Sequence, residues 1–142
     1  MIDKFFTKRQ ELQNNALAVI RIITGLLMAY HGLELFNNET MKVYTEWDVI
    51  KTLPFSGIMP YIGKSIELLT GLCFVTGLFT RIAALFMAGN MFFICFYIGS
   101  GKFYYEDQHP FLFGLLALIY FFTGPIKFNL KKIISRYNKT TD

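Results

Sequence analysis

Four long apolar runs, residues 16–36, 60–79, 81–98 and 110–124, constrain this chain more than any other feature. Each approaches the roughly 20 apolar residues that a helix needs to cross a hydrocarbon layer about 30 Å thick. What remains is enough only for ends and connections. The composition agrees, with 54% hydrophobic and 17% charged residues, against about a quarter charged in soluble domains. Sixteen Phe, eight Tyr and six Met leave no room for a long disordered segment. The expectation is one all-α domain over residues 1–142, an integral membrane four-helix bundle that runs up-down-up-down.

Local signals mark the boundaries of the runs. The segment before Ala16 is too long and polar for the n-region of a signal peptide, and no small-residue cleavage site follows, so the first run reads as a retained helix. Pro60 suits a first helical turn. Thr80 alone separates the second run from the third and is expected to cap the third helix, which makes the pair a tight antiparallel hairpin. Gly124 and Pro125 form a stop signal for the fourth.

Basic residues set the expected orientation. With the N-terminus inside, Lys4, Lys8, Arg9, Arg81, Lys127, Lys131, Lys132, Arg136 and Lys139 lie on the inner side, and Lys42, Lys51, Lys64 and Lys102 on the outer. Nine against four predicts a multi-pass protein of the cell membrane with both termini cytoplasmic. The net charge of +4 follows from this crowding of basic residues at membrane edges. A bilayer is therefore the expected partner, and nucleic acid is not.

The first outer connection is long for a helical bundle. In it Met41, Tyr44, Trp47, Ile50 and Leu53 recur every third residue with charges between them. That spacing predicts a short helix lying in the outer interface, anchored by Trp47, the single tryptophan. A packed loop that caps the bundle is the alternative.

Charges at membrane depth each need a partner or a purpose. Arg21 lies about 8 Å of helical rise inside the first run, where it either snorkels to the inner interface or pairs across the bundle. Glu67 shares a face with Gly63, Lys64, Thr70 and Gly71, so it is expected to point at a neighbouring helix and to pair with Lys64 or Arg21. Asn90 is expected to bond across to another span. Arg21, Arg81 and Asn90 thus read as structural polar residues. Near the outer ends gather His31, Glu34, Lys64, Asp107 and His109. Two histidines with nearby carboxylates suit a metal site, a proton relay or a hydrogen-bonding pocket for a quinone or another amphipathic ligand. Helix rise puts His31, Lys64, Glu67 and His109 at similar depth, which makes them the candidate ligand-binding set, between the first two spans and the start of the fourth. Cys73 and Cys95 stand singly in apolar runs without C-x-x-C or Cys/His spacing, so no dithiol catalyst or structural metal site is expected.

Three stretches resemble the DoxX family of small four-span membrane proteins. VIRIITGLLMAYHGLELF is similar to the family's Arg, Gly, His-Gly opening, with Glu34 and Leu35 where a basic residue is common. IELLTGLCFVTGLFTRIAALFMAGNM resembles its Glu, Gly-Leu, Gly-Leu, Thr-Arg, Ala hairpin, and PFLFGLLALIYFFTGPIKFNL its closing span. The resemblance runs from Val19 to Leu130. Family members have been linked to thiosulfate:quinone oxidoreductase subunits and to membrane oxidoreductase complexes. It implies a redox- or quinone-linked membrane subunit acting with a protein partner, with a quinone as the possible cofactor. The alternative is a non-catalytic scaffold or assembly partner whose polar residues only hold the bundle together.

Overall fold

The computed structural model describes residues 2–124, with side chains from Thr7 onward. The basic residues from Lys127 to Lys139, which carry much of the orientation count, lie outside the described residues. Among those described there are helices and no strands: α1 Ile2–Gly32, α2 Asn38–Glu46, α3 Asp48–Lys51, α4 Met59–Thr76, α5 Thr80–Phe93 and α6 Gln108–Thr123. A 3-10 turn, Leu33–Phe36, extends α1, and a π-helical turn, Ile94–Ile98, extends α5.

The long helices pack in antiparallel pairs, and small residues decide how closely. Where α1 crosses α4, a Cβ on Gly25 would lie 2.7 Å from the Gly71 carbonyl oxygen, and one on Gly71 would lie 2.5 Å from the Ala29 nitrogen. Gly32 meets the backbone of Leu68 in the same way. Without side chains at these points the two backbones approach one another directly, the usual basis of close helix association in membranes. The α5–α6 pair is built similarly, with Ala83, Ala84, Ala88 and Ala117 buried and Gly114 against the Phe92 ring. Met28, Phe74, Met87, Met91, Phe113 and Tyr120 fill the space between the pairs. The Tyr120 hydroxyl donates to the Leu17 carbonyl at 2.9 Å, which ties α6 to α1.

The turns differ from the sequence reading at several points. The second helix ends at Thr76 rather than at residue 79, because Gly77 adopts a left-handed conformation (φ +72°) that stops it. Phe79 rather than Thr80 caps α5, with a left-handed φ of 48°. Thr80 is inside the helix, and its hydroxyl donates back to the Gly77 carbonyl at 3.1 Å, so it clamps the turn instead of capping the helix. The fourth helix starts two residues earlier than expected, at Gln108. The single outer helix resolves into two, α2 and α3, broken at Trp47, whose backbone is extended. Asn37 caps α2 by accepting from the Glu39 and Thr40 backbone amides.

Leu69, Leu72, Ile82, Phe86, Leu115, Ile119 and Phe122 face outward and exposed. Two helical stretches, Thr7–Phe36 and Thr80–Ile98, are long and apolar enough to cross a membrane, and only 33% of the most apolar window in each is buried inside the protein. Outward apolar faces on such helices are lipid-facing surface. α6 is apolar and shorter, at 16 residues, or about 24 Å of rise.

Candidate functional site

At the end of the molecule that carries α2 and α3, the helices diverge around a cavity of about 460 Å³. Met28 and His31 from α1, Gly63, Lys64 and Glu67 from α4, and Asn90, Met91 and Phe93 from α5 form its walls. The π-helical turn contributes Ile94 and Ile98, α6 contributes His109 and Pro110, and Tyr44, Trp47 and Ile50 cover it from the connection. π-helical turns often mark functional sites, because the widened turn re-aims side chains that a regular helix would point elsewhere. Most of this lining is aliphatic or aromatic.

Polar groups concentrate at one side. Lys64 and Glu67 stand three residues apart on one face of α4, so the Lys64 ammonium reaches Glu67 Oε2 at 2.9 Å. The same nitrogen lies 2.8 Å from Glu34 Oε2, because the 3-10 turn after α1 swings Glu34 over α4. The Tyr44 hydroxyl donates to that oxygen at 2.7 Å, and the ammonium sits 5.3 Å from the Tyr44 ring centroid. Two carboxylates thus share one ammonium, and Glu67, only 4% exposed, has Lys64 as its hydrogen-bond partner. Burial, followed by donation to the Glu34 carboxylate, raises the Tyr44 phenol above its ordinary range. Across the cavity mouth the rings of His31 and His109 meet edge to face at 5.4 Å, and His109 also contacts Phe113. His31 Nδ1 stands 4.0 Å from Glu34 Oε1.

The structure therefore brings His31, Lys64, Glu67 and His109 to one cavity, and it does so with partners that sequence reasoning did not put there. Glu34 and Tyr44 complete the charge cluster. Their only signals were Glu34's place among the outer polar residues and Tyr44's place in the three-residue repeat. α5 also supplies a wall. Asn90 bonds across as expected, donating from its amide nitrogen to the Gly63 carbonyl oxygen on α4 at 3.4 Å, and it lines the cavity too.

The remaining candidates lie elsewhere. Glu67 bonds to Lys64 and not to Arg21: Arg21 is 1% exposed and runs to the opposite end, where its guanidinium lies against Gly77. Arg81 lies over Gly124 at the C-terminal end of α6, where unsatisfied carbonyls favour a cation. Asp107 closes its own loop, accepting from the Ser100 amide and hydroxyl and from the Lys102 amide. No group of three or more metal-ligating side chains occurs among the described residues.

Helices with lipid-facing flanks around an apolar cavity, closed at one side by a paired charge cluster, define a helical membrane protein with an internal small-molecule-sized pocket. The profile of the DoxX family matches residues 16–100, and the chain is a membrane protein of that family. The matched stretch contains His31, Glu34, Lys64, Glu67 and Asn90 but not His109. Comparisons with curated proteins and with solved structures give no match.

Proposed function

We propose that the protein crosses the membrane four times, with both termini in the cytoplasm, and serves as the quinone-binding subunit of a membrane oxidoreductase system. One observation supports this above the rest: the candidate residues His31, Lys64, Glu67 and His109 line a single cavity whose volume lies within the range of small-ligand sites. Its walls suit a flat apolar ring, and the two imidazoles at the mouth suit the carbonyl or hydroxyl oxygens of such a ring. Electrons would pass to or from a protein partner.

The test is quinone retention. After purification in mild detergent, solvent extraction of the wild type should yield bound quinone, and His31→Ala should lose it while folding normally. Retention unchanged in that variant would remove the site from this cavity. The scaffold reading draws on the Glu34, Lys64, Glu67 and Tyr44 cluster, which staples the connection to α1 and α4. It predicts that Glu67→Gln impairs folding and that no quinone accompanies the wild type.

A further inference from the structure

The glycines of the long helices around the cavity are of two kinds. Gly25, Gly32 and Gly71 are held against neighbouring backbone and Gly114 against the Phe92 ring, and a side chain at any of them would collide. Gly63 on α4 and Gly89 on α5 are not held in this way. A Cβ on Gly63 would meet only the Asn90 side-chain oxygen, at 3.6 Å, and one on Gly89 would meet nothing within 4 Å. Packing therefore explains the first four and not the last two, although glycine inside a helix is destabilising relative to alanine.

Both unpacked glycines line the cavity, beside Ile62 and Phe93, which also line it and are exposed on the protein's flank. Beside Gly63 and Gly89 the cavity lining thus reaches apolar residues that are exposed on the outside of the protein. The polar cluster lies further in, at Lys64 and Glu67, and there two carboxylates face one ammonium. A phosphate, carboxylate or sulfonate head would meet net negative charge, whereas an uncharged head would not.

We infer that the cavity is entered from the bilayer between α4 and α5, and that its ligand is amphipathic: an uncharged ring head near Lys64 and the histidines, and an apolar tail that leaves between Gly63 and Gly89. This rests on the reading of the cavity as a quinone-type site and adds the route and the tail. An anionic lipid head is disfavoured there, because two carboxylates already share the one ammonium.

Trp47 is the single tryptophan and lines the cavity, so its fluorescence reports occupancy by a quenching quinone ring. Two probes are titrated into protein in lipid nanodiscs: a benzoquinone bearing a two-unit isoprenoid tail, and the same ring without a tail. Each probe is compared between wild type and Gly89→Leu, so membrane partitioning cancels. The plugged variant should bind the tailed probe about tenfold or more weakly and the tailless probe as the wild type does. Unchanged binding of the tailed probe, or equal loss of both, overturns the lateral route. Quenching by neither probe in the wild type overturns the quinone reading itself, a separate outcome. If Gly89→Leu does not fold, Gly63→Val closes the same route from α4 and is read in the same way.

Discussion

The same substitution, glycine to alanine, should act with opposite sign at two sites on adjacent helices. At Gly71 the added methyl would lie 2.5 Å from the Ala29 nitrogen, 2.7 Å from the Gly25 carbonyl oxygen and 2.9 Å from the Ala29 Cα. All three are backbone atoms of α1, so no rotamer change relieves the contact and the helices must part by roughly 1 Å to restore an ordinary separation near 3.5 Å. Overpacking of this kind costs about 1–3 kcal/mol, against about 0.5–1 kcal/mol gained from alanine's better helix propensity. The net loss of up to about 2.5 kcal/mol falls on the crossing that joins α1 to α4. At Gly89 the methyl meets nothing within 4 Å, so only the favourable propensity remains, about 0.5–1 kcal/mol.

Thermal melts of detergent-purified Gly71→Ala and Gly89→Ala, read by retention of the monodisperse peak on size exclusion, separate the two outcomes. At roughly 3–5 °C per kcal/mol for a chain of this size, Gly71→Ala should melt several degrees below wild type and Gly89→Ala at or above it. Equal midpoints for the two variants would refute the claim that backbone contact at Gly71, and open space at Gly89, distinguish these glycines.

Gly77→Ala should lower the midpoint as well, because residue 77 has φ +72° and its Cβ would press the Arg21 guanidinium at 2.8 Å; a left-handed alanine alone costs about 1–2 kcal/mol, and a midpoint equal to wild type would contradict the turn. Tyr44→Phe removes the 2.7 Å bond to Glu34 and should cost about 1 kcal/mol at neutral pH. Because the folded state raises the Tyr44 pKa, its contribution is fully present below the unfolded value of about 10 and is lost as pH rises through the folded one. Wild type should therefore lose its advantage over Tyr44→Phe as pH rises above about 10, and also at acid pH once the accepting Glu34 carboxylate is protonated; a gap that stays constant at both extremes would show that this bond is not responsible.

Much of the architecture was legible because it is written locally. Run length and apolarity mark the long helices at residues 16–36, 60–79, 81–98 and 110–124, and Pro60 and Gly124 sit where a helix begins and ends. The boundary misread at the α4–α5 turn has a physical cause. At the α4–α5 turn the threonine at position 80 has the right chemistry for a cap, yet the backbone turns through Gly77 and Phe79 and uses the hydroxyl elsewhere. Whether a hydroxyl caps or clamps depends on dihedral angles one or two residues away, which composition does not specify.

Depth along a helix follows from 1.5 Å of rise per residue, so the sequence alone determines that His31, Lys64, Glu67 and His109 lie at comparable level, and the i, i+3 spacing alone pairs Lys64 with Glu67. Rotation of each helix about its axis, and the distance between helices, have no such local rule. Only the tertiary structure decides that Glu34 and Tyr44 reach Lys64, that Arg21 turns to Gly77 rather than Glu67, and that Asp107 serves its own loop. A cavity is the least local feature of all, since it exists where side chains on α1, α4, α5 and α6 fail to meet. That six glycines in these helices divide into three that let backbones touch, one that seats the Phe92 ring and two that border open space is a fact about their neighbours, not about glycine.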